Sequence, residues 1–332
     1  MTAWDELLDE FRALGGTAEN IRLGHGEFGR GLFPMDAAKP VAIHIPDNLL
    51  VAMEHMVIAG GVPRVGQEAN TGEREKAWLD RYQEEFAWGR GGVDEVRRTF
   101  EMAAALPAEL RQSLLGKYRC GLWFAEPTDT LIATKFLQAR AIRYRGQSVV
   151  MPIIEMANHG GGAHYDTDSG VGLRGSFPGE VLVEYSLVDS YDYFLSYGFA
   201  TQRPVAFSLE LRGTIDSVPL EIGDQFTGDV SSERSWIPQI EKKHGNVALP
   251  FLMLGNQHFP RLPKGIFYRL LREAGYRGFV ESFDLIQHVN RLHFVNLLIE
   301  LEGIDLPIAR TVRAMAHYQL RALSYCYGAR EI

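Results

Sequence analysis

The sequence predicts an α+β protein, with a β-rich core, a long helical stretch over about 47–140 and a mostly α-helical C-terminal part. Three observations predict it. Apolar residues alternate with period two at Val41, Ile43 and Ile45, at Val181, Val183 and Tyr185, and at Val205, Phe207, Leu209 and Leu211. They recur at helical spacing at Trp4, Leu7, Leu8, Phe11 and Leu14. Long apolar-faced segments with turn signals at their ends then fill the last third of the chain. A boundary is expected near 212–225, giving one domain over 1–212 and a second over 213–332.

Taken in order, Thr2 with Asp5 three residues later resembles a capping box, and Gly15-Gly16 stops the first helix. The strand at 41–45 closes at Pro46. "GGVPRVGQEANTGE" reads as a loop from its Gly, Pro and Asn content. Trp78, Tyr82 and Phe86 then form an i, i+4, i+8 aromatic stripe among charges, as in a solvated helix resting on the core. "FLQARAIRYRGQSVVMPIIEMANH" passes from helix-like to strand-like. From about 215 the pattern reads helical through "PKGIFYRLLREAG", "DLIQHVNRLHFVNLLIELEG" and "DLPIARTVRAMAHYQLRALSYCYGA".

The 332 residues are 46% hydrophobic, enough for a packed core and against disorder. The net charge is −8, and no run is strongly basic, so nucleic acid is not an expected partner. Two cysteines, Cys120 and Cys326, exclude a disulfide framework and a Cys-rich zinc module. "MTAWDELLDEFRALGG" lacks the basic and apolar regions of a signal peptide, and no apolar run reaches the roughly 18–20 residues of a membrane span. A cytoplasmic protein without a membrane partner is expected.

The stretch "ANHGGGAHYDTD" at 157–168 raises the question of chemistry. An HGGG oxyanion loop belongs with a G-x-S-x-G elbow, and no such elbow is present. A metal reading would use His159, His164, Asp166 and Asp168. The two histidines stand five apart, which is not the i, i+4 pair of a helical metal motif, although a glycine-rich loop could converge them.

Four separated segments then carry a resemblance. "GRGLF" at 29–33 precedes a strand ending in "IP". "QARAI" stands at 138–142, "PIIEMANH" at 152–159 and "PGEVLVEYSLVDSYDYFLSYGF" at 178–199. In this order and spacing they resemble the SET-domain methyltransferases, and more closely the branch containing Rubisco large-subunit lysine methyltransferase. The counterparts there are a first AdoMet loop, an "SRAF" segment, a "P-x-x-D-x-x-NH" segment and a "GE-x-x-x-x-Y…YGF" ending. The resemblance covers 29–46 and 138–212. It implies a SET core with a helical insertion at about 47–137 and a helical substrate-binding domain after 212. The chain departs from the family at Gly160, where serine follows "NH", and at Asp189-Ser190, where "D-N" is usual. The insertion also lacks the aromatic "SFW-x-PY" motif.

The resemblance implies S-adenosyl-L-methionine (AdoMet) as cofactor and a lysine side chain of a protein as substrate. It places Tyr197 and Tyr185 at the catalytic channel, Tyr197 steering the amine and Tyr185 closing the channel. It places Phe28, Gly29 and Arg30 as backbone contacts to AdoMet, Arg140 on its carboxylate, Asn158 and His159 as the cofactor pair, and Phe199 packed near the cofactor. Glu155 stands where the family has an aspartate beside the substrate lysine. The chemistry fits these residue types. A lysine with pKa near 10.4 must lose its proton before attack, a penalty of roughly 4–5 kcal/mol near pH 7 that a dry channel reduces. That calls for oriented hydroxyls and carbonyls, not for a strong base or a metal. Two alternatives stand beside this reading: a catalytically silent SET fold acting as a binding module, and a metal-dependent hydrolase using His159, His164, Asp166 and Asp168.

Overall fold

The structure is a computed structural model that describes residues 2–87, 89–115, 126–161, 163–215, 218–223, 237–243, 246–276 and 281–326. Cys120 lies outside the described residues. The fold is α+β, as expected. The chain divides into two compact units, Met1–Arg98 with Pro127–Tyr185, and Thr99–Glu126 with Ser186–Ile332.

The first unit is built on the N-terminal helix Ala3–Ala13. Thr2 and Asp5 close a reciprocal capping box, and the helix buries Trp4, Leu7, Leu8 and Phe11. The aromatic stripe packs against that face: the Trp78 ring stacks on Phe11 at 5.3 Å, and its Nε1 donates to the Leu7 carbonyl at 3.1 Å. Val41–Ile45 is the centre of a three-stranded sheet between Thr17–Glu19 and Val171–Gly175, antiparallel to both. A hairpin joins Ile21–Gly26 to Gly29–Pro34. A second three-stranded sheet joins Val51–Ala52, Gln147–Val150 and Ala141–Tyr144.

Within the stretch read as mostly helical, Val51–Ala52, Met56–Ala59 and Val62–Val65 are instead strands, with a 3-10 turn at Met53–His55, and Val62–Val65 falls in the segment read as a loop. Met56–Ala59 and Val62–Val65 form a hairpin across Gly60 and Gly61, whose φ values are 60° and 78°. A two-residue turn with both φ positive matches the twist of flanking strands and selects glycine. The "GG" was therefore a hairpin signal. Helix begins at Glu73–Glu85.

In the second unit, Val205–Phe207 pairs with Met253–Asn256, and Leu211–Ile215, Val218–Ile222, Asn246–Leu249 and Glu241–Lys243 form a four-stranded sheet. Helix therefore starts at Leu262–Glu273, later than the expected 215, and continues through Ser282–Glu300 and Pro307–Leu323. Phe267, Phe283, Phe294, Val312 and Met315 are fully buried among these helices. Gly255 brings the strand Met253–Asn256 against the last helix, since a Cβ there would collide with the Ala322 carbonyl. No helix among the described residues is long and apolar enough to cross a membrane.

Candidate functional site

The site of the first unit begins at the tip of the Ile21–Gly26/Gly29–Pro34 hairpin. Glu27 and Phe28 make the turn, and Phe28 is 54% exposed. Gly29 has φ 90°, which disfavours any side chain, and the space around it is open. Next along the strand, the Arg30 guanidinium donates to the Phe86 and Ala87 carbonyls at the end of the Glu73–Glu85 helix. That anchors the hairpin through the arginine side chain. The close approach is made at Gly31, where a Cβ would strike Glu180 and the Asn158 amide.

Asn158 meets this strand through "PIIEMANH". After the strand Gln147–Val150, Ile153 has φ 67° and ψ −58°, with Ile154 N–H donating to the Pro152 carbonyl at 2.8 Å. This is a γ-turn of the rare positive-φ kind, held here by a fully buried β-branched residue, and such backbone costs on the order of 1–3 kcal/mol. A 3-10 turn over Ile154–Met156 follows and buries Glu155. Asn158–His159 then pairs in parallel with Leu182–Val183. The Asn158 amide donates to the Arg30 carbonyl at 3.1 Å and to Glu180 Oε1 at 2.5 Å. Both amide protons are thereby committed, and Oδ1 is the acceptor left for a ligand.

Around Glu155 gathers a buried polar cluster. Gln83 Nε2 donates to Glu155 Oε1 at 2.7 Å. Burial pushes the Glu155 carboxyl up to about 6, against the opposing Arg140 charge and the Gln83 hydrogen bond. Tyr82, fully buried beside it, is raised well above its ordinary value by burial and then by the Glu155 charge. Arg140 stacks its guanidinium on Phe136, 3.9 Å from the ring centroid, and Nη1 donates to the Phe136 carbonyl at 2.9 Å. Burial lowers its pKa, and Glu155 is the largest influence holding it up. The Tyr185 hydroxyl donates to the Ala157 carbonyl at 2.9 Å, and burial raises it to about 12. Tyr185 thus carries its proton throughout the neutral range and acts as a donor. Its ring lies 5.3 Å from the His159 ring, whose Nδ1 is 3.9 Å from Glu184 Oε1.

Within the first unit the fold therefore brings together Arg30, Arg140, Glu155, Asn158, His159 and Tyr185, drawn from separated stretches of sequence. Phe28 and Gly29 stand at the hairpin tip. Tyr197 and Phe199 belong to the second unit. There, Tyr197 is the last residue of the helix Ser190–Tyr197, ended by Gly198 at φ 79° in the left-handed region. The Tyr197 ring lies 5.2 Å from Tyr193 and 5.9 Å from Phe199.

Three residues of the cluster were not among the expected site residues. Glu180 was visible as the acid of "PGE", Tyr82 lay in the aromatic stripe, and Gln83 carried no signal of its own. The loop after His159 is tied down locally: Asp166 exchanges two backbone hydrogen bonds with Gly172, at 2.9 and 2.7 Å, and its Oδ1 accepts from Asp168 N–H at 3.0 Å. Among the described residues no three His, Cys, Asp or Glu side chains group so as to hold a metal ion.

No protein-family model matches the chain, and no curated protein matches it. Among solved structures, the chain is similar to Rubisco LSMT bound to AdoMet, with a TM-score of 0.46 and 13% identity over 98% of this chain and 90% of that one. It is also similar to Rubisco LSMT bound to sinefungin and monomethyllysine, with a TM-score of 0.44 and 13% identity over the same shares.

Proposed function

We propose that the chain is an AdoMet-dependent protein N-methyltransferase with a SET-type core, acting on a lysine side chain of a protein substrate. The observation that carries this reading is the convergence of Arg30, Arg140, Glu155, Asn158, His159 and Tyr185 in one unit, residues that the resemblance singles out from separated segments of sequence. The donor set suits the cofactor. Both amide protons of Asn158 are engaged, so its Oδ1 suits an ammonium group. The forked donors of Arg140 suit a carboxylate. The open turn at Phe28–Gly29 suits contact through backbone groups.

When bound, AdoMet supplies a methyl group already activated by its sulfonium. The chain's own residues then have to position and desolvate. Tyr185, protonated and donating to the Ala157 carbonyl, keeps a rigid wall on its side of the site. Glu155, whose buried carboxyl is pushed up to about 6, is the residue that the resemblance sets beside the substrate lysine. Tyr197, which belongs to the second unit, is the tyrosine to which the resemblance gives the role of steering the amine. None of these side chains is a strong base, and the reaction asks for none, because desolvation lowers the amine pKa.

The direct test is incubation of the purified protein with a cell lysate and isotopically labelled AdoMet, followed by mass spectrometry of labelled peptides. Label on lysine supports the reading. AdoMet binding without label on any protein would favour a silent binding module, and calorimetry showing no AdoMet binding would remove the cofactor assignment. On an identified substrate, Tyr197→Phe should lower turnover by about 10²-fold with little change in AdoMet affinity, comparable to losing one preorganised donor.

A further inference from the structure

The helix Ser282–Glu300 turns one face inward, burying Phe283, Ile286, Asn290, Phe294 and Leu297. Its outer face is apolar as well. Leu285 is 53% exposed, Val289 40%, Leu292 45%, Val295 40% and Ile299 63%. These are five of the eleven exposed large hydrophobic residues among the described residues, gathered on one helix. Scattered exposed hydrophobics are ordinary, but a contiguous apolar strip marks an interface.

The spacing of the strip says what covers it. From Leu285 to Ile299 the steps are four, three, three and four residues. The pattern reads the same from either end and is centred on Leu292. Leu285, Leu292 and Ile299 also keep a seven-residue repeat, the period at which one helix presents a continuous seam to another. Set antiparallel to a copy of itself about a two-fold axis at Leu292, the strip is self-complementary. Leu285 meets Ile299 of the copy, Val289 meets Val295, and Leu292 meets Leu292. The two polar residues on the same face, His288 and Asn296, also meet each other. A two-fold interface requires such reciprocity, since residue i must contact j while j contacts i.

Charge argues against a lipid surface as the occupant. Arg291 is the helix's one Arg or Lys, and Glu281, Asp284, Glu300 and Glu302 flank the strip on a chain of net charge −8. Interfacial membrane helices carry the opposite flank, rich in Lys and Arg. We infer that this face is the interface of a homodimer, formed by antiparallel pairing of Ser282–Glu300 about a two-fold axis through Leu292. The helix is about 28 Å long. Two such faces with their polar rims withdraw on the order of 1,000 Å² from water, an area in the range of weak, reversible association.

Sedimentation of the full chain from about 1 to about 100 µM tests this, with a rise from monomer to dimer mass expected across the range. Leu292→Glu places two carboxylates at the axis and should weaken the dimer by about a hundredfold or more, as loss of a central anchor does, leaving the melting temperature unchanged at this exposed position when both proteins are dilute enough to be monomeric. Leu292→Cys should crosslink to its own copy on oxidation, with the 292–292 peptide identified by mass spectrometry, whereas Leu285→Cys alone should not. A monomer at every concentration overturns the inference. So does a dimer that Leu292→Glu leaves intact, or sedimentation of the monomer with anionic vesicles in a manner that Leu292→Glu abolishes.

Discussion

The Asn158 amide and the Glu180 carboxylate stand 2.5 Å apart, packed over the bare backbone of Gly31. The pair fixes which end of the asparagine a ligand can use. Truncating Asn158 to Ala should leave polar groups of bound AdoMet unpaired, at roughly 1–3 kcal/mol, so affinity should fall about ten- to a hundredfold by calorimetry. Asn158→Asp should act differently, because it sets two carboxylates against each other. Its melting temperature should drop at neutral pH and recover towards acid, as one of the pair takes up a proton. A loss of melting temperature relative to the wild type that is the same at pH 5 and pH 8 would show that the two groups do not face each other.

Glu155 predicts a pH window for stability. Its folded carboxyl is near 6, above the usual 4.5, so between these values the folded protein binds more protons than the unfolded chain. The stabilising contribution is therefore complete below about 4.5 and lost as pH rises through about 6. Its size is on the order of 2 kcal/mol. Glu155→Gln should remove this slope. Denaturant unfolding of both proteins from pH 4 to 8 measures the difference, and a difference that stays constant with pH would contradict the assignment.

Ile153 predicts an inverted mutant ranking. At an ordinary buried site Gly is worse than Ala by about 1 kcal/mol. Here φ is 67°, where Ala is strained and Gly is not. Both substitutions empty a fully buried isoleucine and should cost roughly 2–5 kcal/mol, but Ile153→Gly should be at least as stable as Ile153→Ala. Chemical unfolding of the two variants decides it, and the usual ranking would mean the γ-turn is absent in solution.

Much of this architecture was legible from local pattern. The capping box at Thr2 and Asp5, the strand at 41–45 and the three helices after 262 are written in residue types and spacing that act over a few positions. What was not legible depends on partners far apart in the chain. Gln83 reaches Glu155 across 72 positions, and nothing in "RYQEE" announces it. Strands such as Val218–Ile222 and Asn246–Leu249 are too short for alternation to separate them from helix, and their parallel pairing is a long-range event. The turn at Ile153 breaks the local preference of a β-branched residue, so only tertiary packing can impose it.

Asp189 predicts a structural penalty that a second substitution rescues. It is buried at the N-cap of Ser190–Tyr197, where Oδ1 accepts from Asp192 N–H at 3.0 Å. Its Oδ2 accepts from Phe207 N–H at 2.8 Å and from Gln319 Nε2 at 2.5 Å. Asp189→Asn keeps a good cap, since Asn and Asp are equivalent there. It also turns Oδ2 into an amide that faces two donors, which should cost about 2–4 kcal/mol by leaving buried groups unpaired. Gln319→Glu alone should also destabilise, because it brings two buried carboxylates together. In the double mutant the amide introduced at position 189 would donate to the carboxylate introduced at position 319. The combined loss should then fall short of the sum of the single losses by about 1–3 kcal/mol. A double-mutant cycle from chemical denaturation measures that coupling. Simple additivity would mean that Asp189 and Gln319 do not share the hydrogen bond on which the cap and the last helix both depend.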